Sequence, residues 1–383
     1  GDILMKKLDM TTANFGLVVS AYAFSAGASG LMAAGFADKF DRKKLLLFFY
    51  AGFIIGTLCC ALSGGYVMLI VSRIVTGFFG GVIGSISLAI IADLFQVNQR
   101  GRVMGFVQMA FASSQILGIP IGIFFANLWG WHSAFLLVVG LASVIFLAVL
   151  TKLKPVDAHL KTKSQRNPLS HLWHTLRKRD YRIGFGTVAL LSIGGFMLQP
   201  FGSAFLVNNV GILQEELPIV FFCTGVSVLI IMPIVGKLSD SINKMTLFSI
   251  GSGISIVMIL IYTNLSVAPL WEVIVINMVL FMGIMSRIVP SQAINTAIPD
   301  TEDRGAYMAV TSSMQQLAGG IAAICAGYVV HQQTKTSPLE NYPVLGIIIS
   351  VITLLTVVLM FRVSRIANRK IEVQKAGAIE EPA

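Results

Sequence analysis

Charge is what this chain has least of. Asp, Glu, Lys and Arg together make up 12% of its 383 residues, against about 25% in a soluble domain. That shortfall excludes a soluble multi-domain enzyme. Cysteine is equally uninformative as a framework. Cys59, Cys60, Cys223 and Cys325 all lie inside apolar runs, without metal-ligand spacing and without partners in polar loops. They read as small buried apolar residues, not as disulfides or a redox site. Catalytic motifs are missing too. There is no Gly-x-x-x-x-Gly-Lys-Ser/Thr, so ATP hydrolysis by that route is excluded. Neither His-Glu-x-x-His nor Gly-x-Ser-x-Gly occurs. His159, His171 and His174 sit in a basic stretch with no acid or thiol beside them, so they read as surface residues and not metal ligands. Nothing here asks for a cofactor.

What is present is apolar sequence, 55% of the chain. It falls in eleven runs, at about 13–37, 45–63, 66–93, 102–127, 131–151, 183–208, 217–236, 245–264, 270–298, 305–330 and 343–361. A transmembrane helix needs about 20 such residues. A barrel would alternate polar and apolar residues along short segments, and these runs do not. The fold class predicted is an all-α polytopic membrane protein embedded in a lipid bilayer. Pro120, Pro200, Pro233 and Pro290 fall inside the runs, where neighbouring helices satisfy the freed backbone groups.

The net charge of +10 is not a nucleic-acid footprint, because it is sorted by the connections. Alternate connections, beginning with 38–44 and ending with 362–383, hold 23 of the 28 Lys and Arg. The other set holds Lys6, Lys7 and Lys335, and Arg73 and Arg287 lie within runs. By the positive-inside rule the first set, with the C-terminus, is cytoplasmic. The longest connection, 152–182, is also the most basic. Within it Leu169, Leu172, Trp173 and Leu176 keep helical spacing, after Asn167-Pro168 and before Arg177-Lys178-Arg179. A short helix on the membrane surface is expected. The domains then read as a bundle at 1–153, a linker at 154–182, a second bundle at 183–366 and a tail at 367–383.

An internal repeat supports the two bundles. Asp38, after one run, and Asp240, after another, lie 202 residues apart. Arg100-Gly101-x-x-Met104 recurs as Arg304-Gly305-x-x-Met308, 204 residues on. Repeats of this kind build alternating-access carriers. The counterpart of the run at 183–208 would fall before residue 7. Eleven helices of a twelve-helix parent are therefore expected, with the first absent and any acid it carries absent with it.

The stretch Ala34-Gly35-Phe36-Ala37-Asp38-Lys39-Phe40-Asp41-Arg42-Lys43 resembles the signature after the second helix of the major facilitator superfamily, with Ala34 and Asp41 where the pattern has Gly. Gly236-Lys237-Leu238-Ser239-Asp240 with Lys244 is a second copy. Arg73-x-x-x-Gly77 resembles the family's fourth-helix motif, and Gly118-x-Pro120-x-Gly122 a shortened Gly-Pro motif of efflux members. Gly130-Trp131-His132-Ser133-Ala134-Phe135 follows it, with His for Arg. The branch most similar is the arabinose-efflux and drug-efflux permeases. The resemblance implies a cytoplasmic gate: Asp38 against Arg304-Gly305, Arg42 with Asp93, Asp240 near Arg100-Gly101, and Lys244 near Asp300. The alternative is an ordinary charged turn.

For the pathway itself, Arg73 and Arg287 lie within spans, where such residues face a water-filled cavity or a partner. The alternative for each is an Arg that pins helices through backbone carbonyls. Glu272 is a candidate proton carrier near a helix end. Tyr22, Gln115, Gln199 and Gln315 are the leading polar cavity candidates, followed by Gln108, Asn208, Asn277 and Asn295; each could equally bond helix to helix. The reading is a monomeric secondary active transporter of the bacterial inner membrane, driven by a proton gradient and exporting a small organic compound, drug-like or sugar-like. An uptake symporter or uniporter of the same fold is the alternative, and a non-transporting sensor or assembly protein a second.

Overall fold

The computed structural model describes residues 2–36, 40–94, 114, 117–157, 168–300, 303–334 and 336–380. Its helices are α1 (Asp2–Lys7), α2 (Thr12–Phe36), α3 (Arg42–Ala61), α4 (Tyr66–Leu94), α5 (Leu117–Trp129), α6 (His132–Lys152), α7 (Pro168–Arg177), α8 (Arg179–Val210), α9 (Leu217–Ser241), α10 (Lys244–Thr263), α11 (Leu270–Asn295), α12 (Arg304–Val329) and α13 (Tyr342–Glu380). Nine of them are long and apolar enough to cross a membrane. The shorter α5 and the less apolar α12 occupy the two remaining runs, so each of the eleven carries a helix over its described residues. The only β pairing among the described residues is a bridge between His331 and Glu340.

The helix ends follow from local chemistry. The first helical turn leaves backbone N–H groups unpaired, and a short acceptor side chain fills the need. Asp41 Oδ1 accepts from Lys43 N at 2.8 Å, and Asn243 Oδ1 accepts from Met245 N at 2.8 Å. The two caps share backbone angles, φ −56° and ψ 122° against φ −58° and ψ 121°. They stand 202 residues apart, so the repeat read from Asp38 and Asp240 is also a repeat of backbone geometry. Gly130 (φ 83°) and Gly211 (φ 84°) close α5 and α8 in the left-handed region, where other residues are strained.

Two terminal segments differ from the sequence reading. Residues 1–12 were expected as a connection, but Asp2–Lys7 is helical, with Met5 and Met10 buried in the core. Its apolar side chains find a surface to cover, which a polar loop would not. The tail expected from residue 367 is instead a continuation of α13 to Glu380. No Gly or Pro interrupts 362–376, and most residues there are good helix formers. The expected surface helix is present as α7.

Helices α2, α3, α4 and α6 pack as one group and α8 to α13 as another, with α2 lying along α12 as the main joint between them. Small residues let these two backbones approach. A Cβ on Gly16 would stand 2.5 Å from Ala323 O, and one on Gly327 would stand 2.8 Å from Thr12 O. Thr12 Oγ1 also donates to Val330 O at 2.5 Å.

The ends of the bundle are chemically unlike. One end carries Arg42, Lys152, Lys178, Lys244 and Arg362 and is called the basic end here; the other is the neutral end. The buried apolar core divides in the same sense. At the neutral end a single cluster draws from both groups, with Phe15, Val18 and Leu69 beside Phe201, Leu206 and Tyr342. At the basic end there are two clusters. One is centred on Leu45, Phe49 and Ile86 of the first group, and the other on Phe248, Ile298 and Tyr307 of the second.

Candidate functional site

Polar contacts repeat that division. At the neutral end the groups are laced together. Asn208 Nδ2 donates to Asp2 Oδ1 at 2.8 Å, and Lys6 Nζ donates to Asn208 Oδ1 at 3.3 Å. Asp2 is buried and pairs with Lys6 at 2.8 Å. Asn127 Nδ2 donates to Gln214 O at 2.8 Å. The turn at 331–340 is held over this end by Asn209, which donates to Leu339 O at 2.9 Å and accepts from Leu339 N at 2.8 Å. Of these residues only Asn208 was singled out from the sequence. Pairing of Asn127 with Gln214 has no sequence signal, because it joins the end of α5 to a connection 87 residues on.

At the basic end several contacts among the described residues tie a group to itself. Arg42 Nε donates to Asp93 Oδ2 at 3.1 Å, the partner expected for it. An arginine at a helix N-terminus opposes the helix dipole, and Asp93 offsets that. Lys43 Nζ donates to Leu150 O at 2.9 Å, near the carbonyl end of α6. Asp41, a departure from the family pattern, also accepts from Val156 N at 3.3 Å, while Arg42 N donates to Val156 O at 3.1 Å. The start of the linker is thus docked on α3. The departure was visible in the sequence, but its use was not.

In the second group Asp300 corrects an expectation. Its partners are Lys370, at 2.7 Å, and Lys178, at 3.2 Å, rather than Lys244. The extension of α13 carries Lys370 to this point, while Lys244 stays in the first turn of α10 beside its cap. Lys178 Nζ also reaches Asp303 Oδ2 at 2.5 Å. Tyr181 Oη lies 2.9 Å from a carboxylate oxygen of both Asp300 and Asp303 and accepts from Asp300 N at 3.0 Å. The Lys370 ammonium holds the Asp300 carboxyl below its ordinary range, and the hydrogen bond to Asp303 raises Lys178. The remaining gate candidates lie outside the described residues: Asp38 entirely, and Asp240 and Arg304 in their side chains.

Within the spans, the two arginines do not face one another. The Arg73 guanidinium lies over the Tyr22 ring at 4.6 Å. Tyr22 itself sits where α2 meets α3 and α4: its hydroxyl is 3.0 Å from where a Cβ on Gly80 would be, and Phe53 lies beside that point too. Gly77 lets α4 close on the backbone of α2 at Tyr22. Arg287 is 4% exposed and sealed inside the second group. Its Nη1 donates to Thr353 Oγ1 at 3.1 Å, its guanidinium lies 5.8 Å from the Phe248 ring, and its Nε is buried without a hydrogen-bond partner among the described residues. Arg287 therefore joins α10, α11 and α13, as a pinning residue does, although by a side-chain hydroxyl rather than carbonyls. Glu272 stands in the first turn of α11, where a carboxylate suits the helix dipole.

The residues that do sit at the joint are fewer. Gln199 is exposed at mid-span, in the 3-10 turn at Gln199–Phe201 that interrupts α8. Three residues earlier, the Phe196 ring packs on Gly319, while the Phe24 ring of α2 packs on Gly320. The Gly319-Gly320 pair thus seats one aromatic ring from each group. Gln315, one turn before it on α12, is half-buried. Asn277 and Asn295 are buried and donate to their own helices, to Val273 O and Ser291 O, and Asn295 Oδ1 also accepts from Tyr307 Oη of α12 at 3.4 Å. Gln108 and Gln115 lie outside the described residues. Pro120 is buried, whereas a Cβ at Gly118 or Gly122 would meet nothing within 4 Å.

Two helix groups that share one apolar core at the neutral end and, over the described residues, are served by two at the basic end, with polar and aromatic side chains between them, define a polytopic membrane protein of the transporter class. The chain belongs to the Major Facilitator Superfamily, whose family model matches residues 2–323 and 184–380. A probable sugar efflux transporter of Helicobacter pylori (strain P12) is 28% identical over 192 residues, 50% of this chain and 48% of that protein. The chain thus spans about half the length of such curated relatives. An uncharacterized MFS-type transporter of Bacillus subtilis (strain 168), YbcL, is 23% identical over 357 residues, covering 93% of this chain and 89% of its own. Among solved structures, an inward-facing, unoccupied bacterial homolog of the human lysosomal transporter Spinster superposes with a TM-score of 0.75 at 15% identity, covering 96% of this chain and 92% of that one. The nucleoside transporter NupG (D323A mutant) gives 0.72 at 14% identity, covering 95% and 94%. At those identities the likeness is one of fold.

Proposed function

We propose that this chain is a secondary active transporter that works by alternating access and exports a small polar organic compound in exchange for protons. The observation that carries the reading is the division of the core. One apolar cluster spans both groups at the neutral end, whereas among the described residues the basic end has two, one within the first group and one of the second against which only Leu31 of the first group packs. A carrier caught open toward one side has this form. By the positive-inside rule the open side is the cytoplasm, and the membrane is a bacterial inner membrane. The protein acts as a monomer.

The site lies between Phe24, Phe196, Gln199 and Gln315. Two aromatic faces and two amides suit a sugar-like or drug-like compound, since rings take apolar faces and amides take hydroxyls or amines. Export and proton coupling draw support from the Gly118-x-Pro120-x-Gly122 motif and from the Helicobacter relatives named for sugar efflux. Uptake is the second reading, favoured by 34% identity over 130 residues to a protein named as a vacuolar amino acid uptake transporter of Schizosaccharomyces pombe.

The test is flux in proteoliposomes that carry a lumenal pH dye, under an imposed proton gradient, with sugars, cationic drugs and organic anions added in turn. Substrate-triggered proton movement against the substrate is the expected result. Movement in the same direction would make the protein a symporter. No flux with any compound, from protein shown to be folded, would refute the proton-coupled reading.

A further inference from the structure

The lipid-facing side of α13 does not end where its apolar residues end. Val351, Leu354 and Val358 are all exposed and fall on one helical face at spacings of three and four. The same spacing continues through Arg362, Arg365 and Arg369, which are exposed too. The candidate span runs from Tyr342 to Lys370. Twenty residues at 1.5 Å each fill a hydrocarbon core of about 30 Å. Counted from Tyr342, that core ends at Phe361. The three arginines therefore begin in the first turn beyond it and rise along the face that meets lipid.

None of the three has an acidic partner among the described residues. The neighbouring Lys370, which faces the protein, is paired with Asp300. Two cations one residue apart thus have opposite uses, one internal and one presented outward. Tyr181 fixes the register with α8, because Lys370 Nζ lies 5.2 Å from its ring and Lys178 Nζ 5.0 Å. The exposed Arg182 of α8 stands next to it in sequence. Nearby, Arg177 lies 4.9 Å from the Trp173 ring, and an exposed Trp at a headgroup level is a membrane-interface residue. In the first group, the exposed cations at the corresponding level among the described residues are lysines, among them Lys152 and Lys154.

We propose that the α8–α13 seam at the basic end is a binding surface for the headgroup of an anionic phospholipid, its phosphate held by Arg362, Arg365 and Arg369. Guanidinium forks match phosphate oxygens two at a time, which a lysine ammonium does not. The apolar stripe leading to the arginines lies where the acyl chains of the same lipid would run. The proposal is independent of the transported compound.

The experiment is thermal unfolding in nanodiscs of pure phosphatidylcholine and of phosphatidylcholine with phosphatidylglycerol. Phosphatidylglycerol is expected to raise Tm by several degrees. The triple variant Arg362→Gln/Arg365→Gln/Arg369→Gln should lose most of that rise and keep its Tm in phosphatidylcholine. Replacement by three lysines should leave an intermediate rise, and Lys152→Gln/Lys154→Gln a full one. A full rise in the glutamine variant, or an equal loss in the lysine-pair variant, overturns the proposal. Should the triple variant fail to insert, native mass spectrometry of the unaltered chain decides. Retention of phosphatidylglycerol over phosphatidylcholine is expected, and equal retention of both sinks the idea. Reproduction of the rise by free phosphate in phosphatidylcholine nanodiscs would also overturn it, by making the effect one of salt.

Discussion

Consider Gly16→Ala. In the structure the new methyl would stand 2.5 Å from Ala323 O and 3.3 Å from the Gly327 Cα. Ordinary contact begins near 3.4 Å, so the helices must part by roughly 0.9 Å at this point. Both neighbours are backbone atoms and cannot rotate aside. Overpacking of this kind costs about 1–3 kcal/mol. Only the form closed at the neutral end bears the cost, because opening that end separates Gly16 from Ala323. The equilibrium should therefore move toward the form open at the neutral end by about 5- to 150-fold. Gly27→Ala, further along the same seam, makes a useful contrast. Its nearest neighbour is the Leu317 side chain at 2.8 Å, which can swing away, and its nearest backbone atom, Ser313 O, is 3.1 Å off against 2.5 Å at Gly16, so the shift should be smaller. Gly140→Ala on α6 meets nothing within 4 Å and should not shift the equilibrium at all. The assay is a pulsed electron-spin distance between labels at Leu128 and Leu213, both exposed at the neutral end. The four native cysteines are replaced first. A long-distance population should grow in Gly16→Ala. A folded variant with the short-distance population unchanged would refute the reasoning that this joint opens.

Three further outcomes are expected. Asp93→Asn should destabilise the protein by about 2 kcal/mol, since it removes a charged partner of the buried Arg42 cation; the double variant with Arg42→Gln should cost less than the sum of the two singles, measured by thermal unfolding in detergent. The Asp300 and Lys178 junction should be insensitive to pH across the neutral range. The depressed Asp300 stabilises above its ordinary value and loses its contribution only as pH falls through a still lower one, while the raised Lys178 stabilises below its ordinary value and fails only at strongly alkaline pH; Asp300→Asn should flatten the acid limb of a stability–pH curve and leave the middle unchanged. Asn209→Ala removes both bonds to Leu339 and should speed hydrogen exchange at 331–340 by about tenfold, with little change in α2.

The helices were legible because lipid imposes a simple rule: an apolar stretch of sufficient length must be helical. All eleven runs obeyed it over their described residues, including α8, whose Pro200 falls in a 3-10 turn rather than ending the span. What hydropathy could not show was direction within a span. Arg73 and Arg287 look alike as lone cations in apolar sequence. One lies over Tyr22, and the other is sealed against Phe248 and Thr353. The difference depends on which neighbour each helix face meets, which periodicity alone does not say. Asp300 shows the same limit for charge pairs. Its expected partner was chosen by analogy between the halves, but the analogy breaks where α13 runs on. Lys370 could be placed only once that helix was known to continue. Asp41 is the reverse case: the departure from pattern was plain in the sequence, and it marked a residue with two uses.

The docking of Val156 on α3 and the fastening of Lys178 to Asp303 have a joint consequence for motion. The connection is docked on the first half at Val156 and on the second from α7 onward, where Thr175 is buried and Leu176 packs against the cluster of Phe248 and Tyr307. Eleven residues, 157–167, lie between, enough to reach about 36–40 Å at full extension. That reach is several helix diameters of about 10 Å, so its length sets no narrow limit on how far the two bodies swing. Removing three or four residues from 157–167 should leave the rocking motion intact. Helix α7 meets both α2 and α12, so it rides at the joint itself. Coordination between the halves passes there, through the glycine seam of α2 and α12 and through the ties at the neutral end.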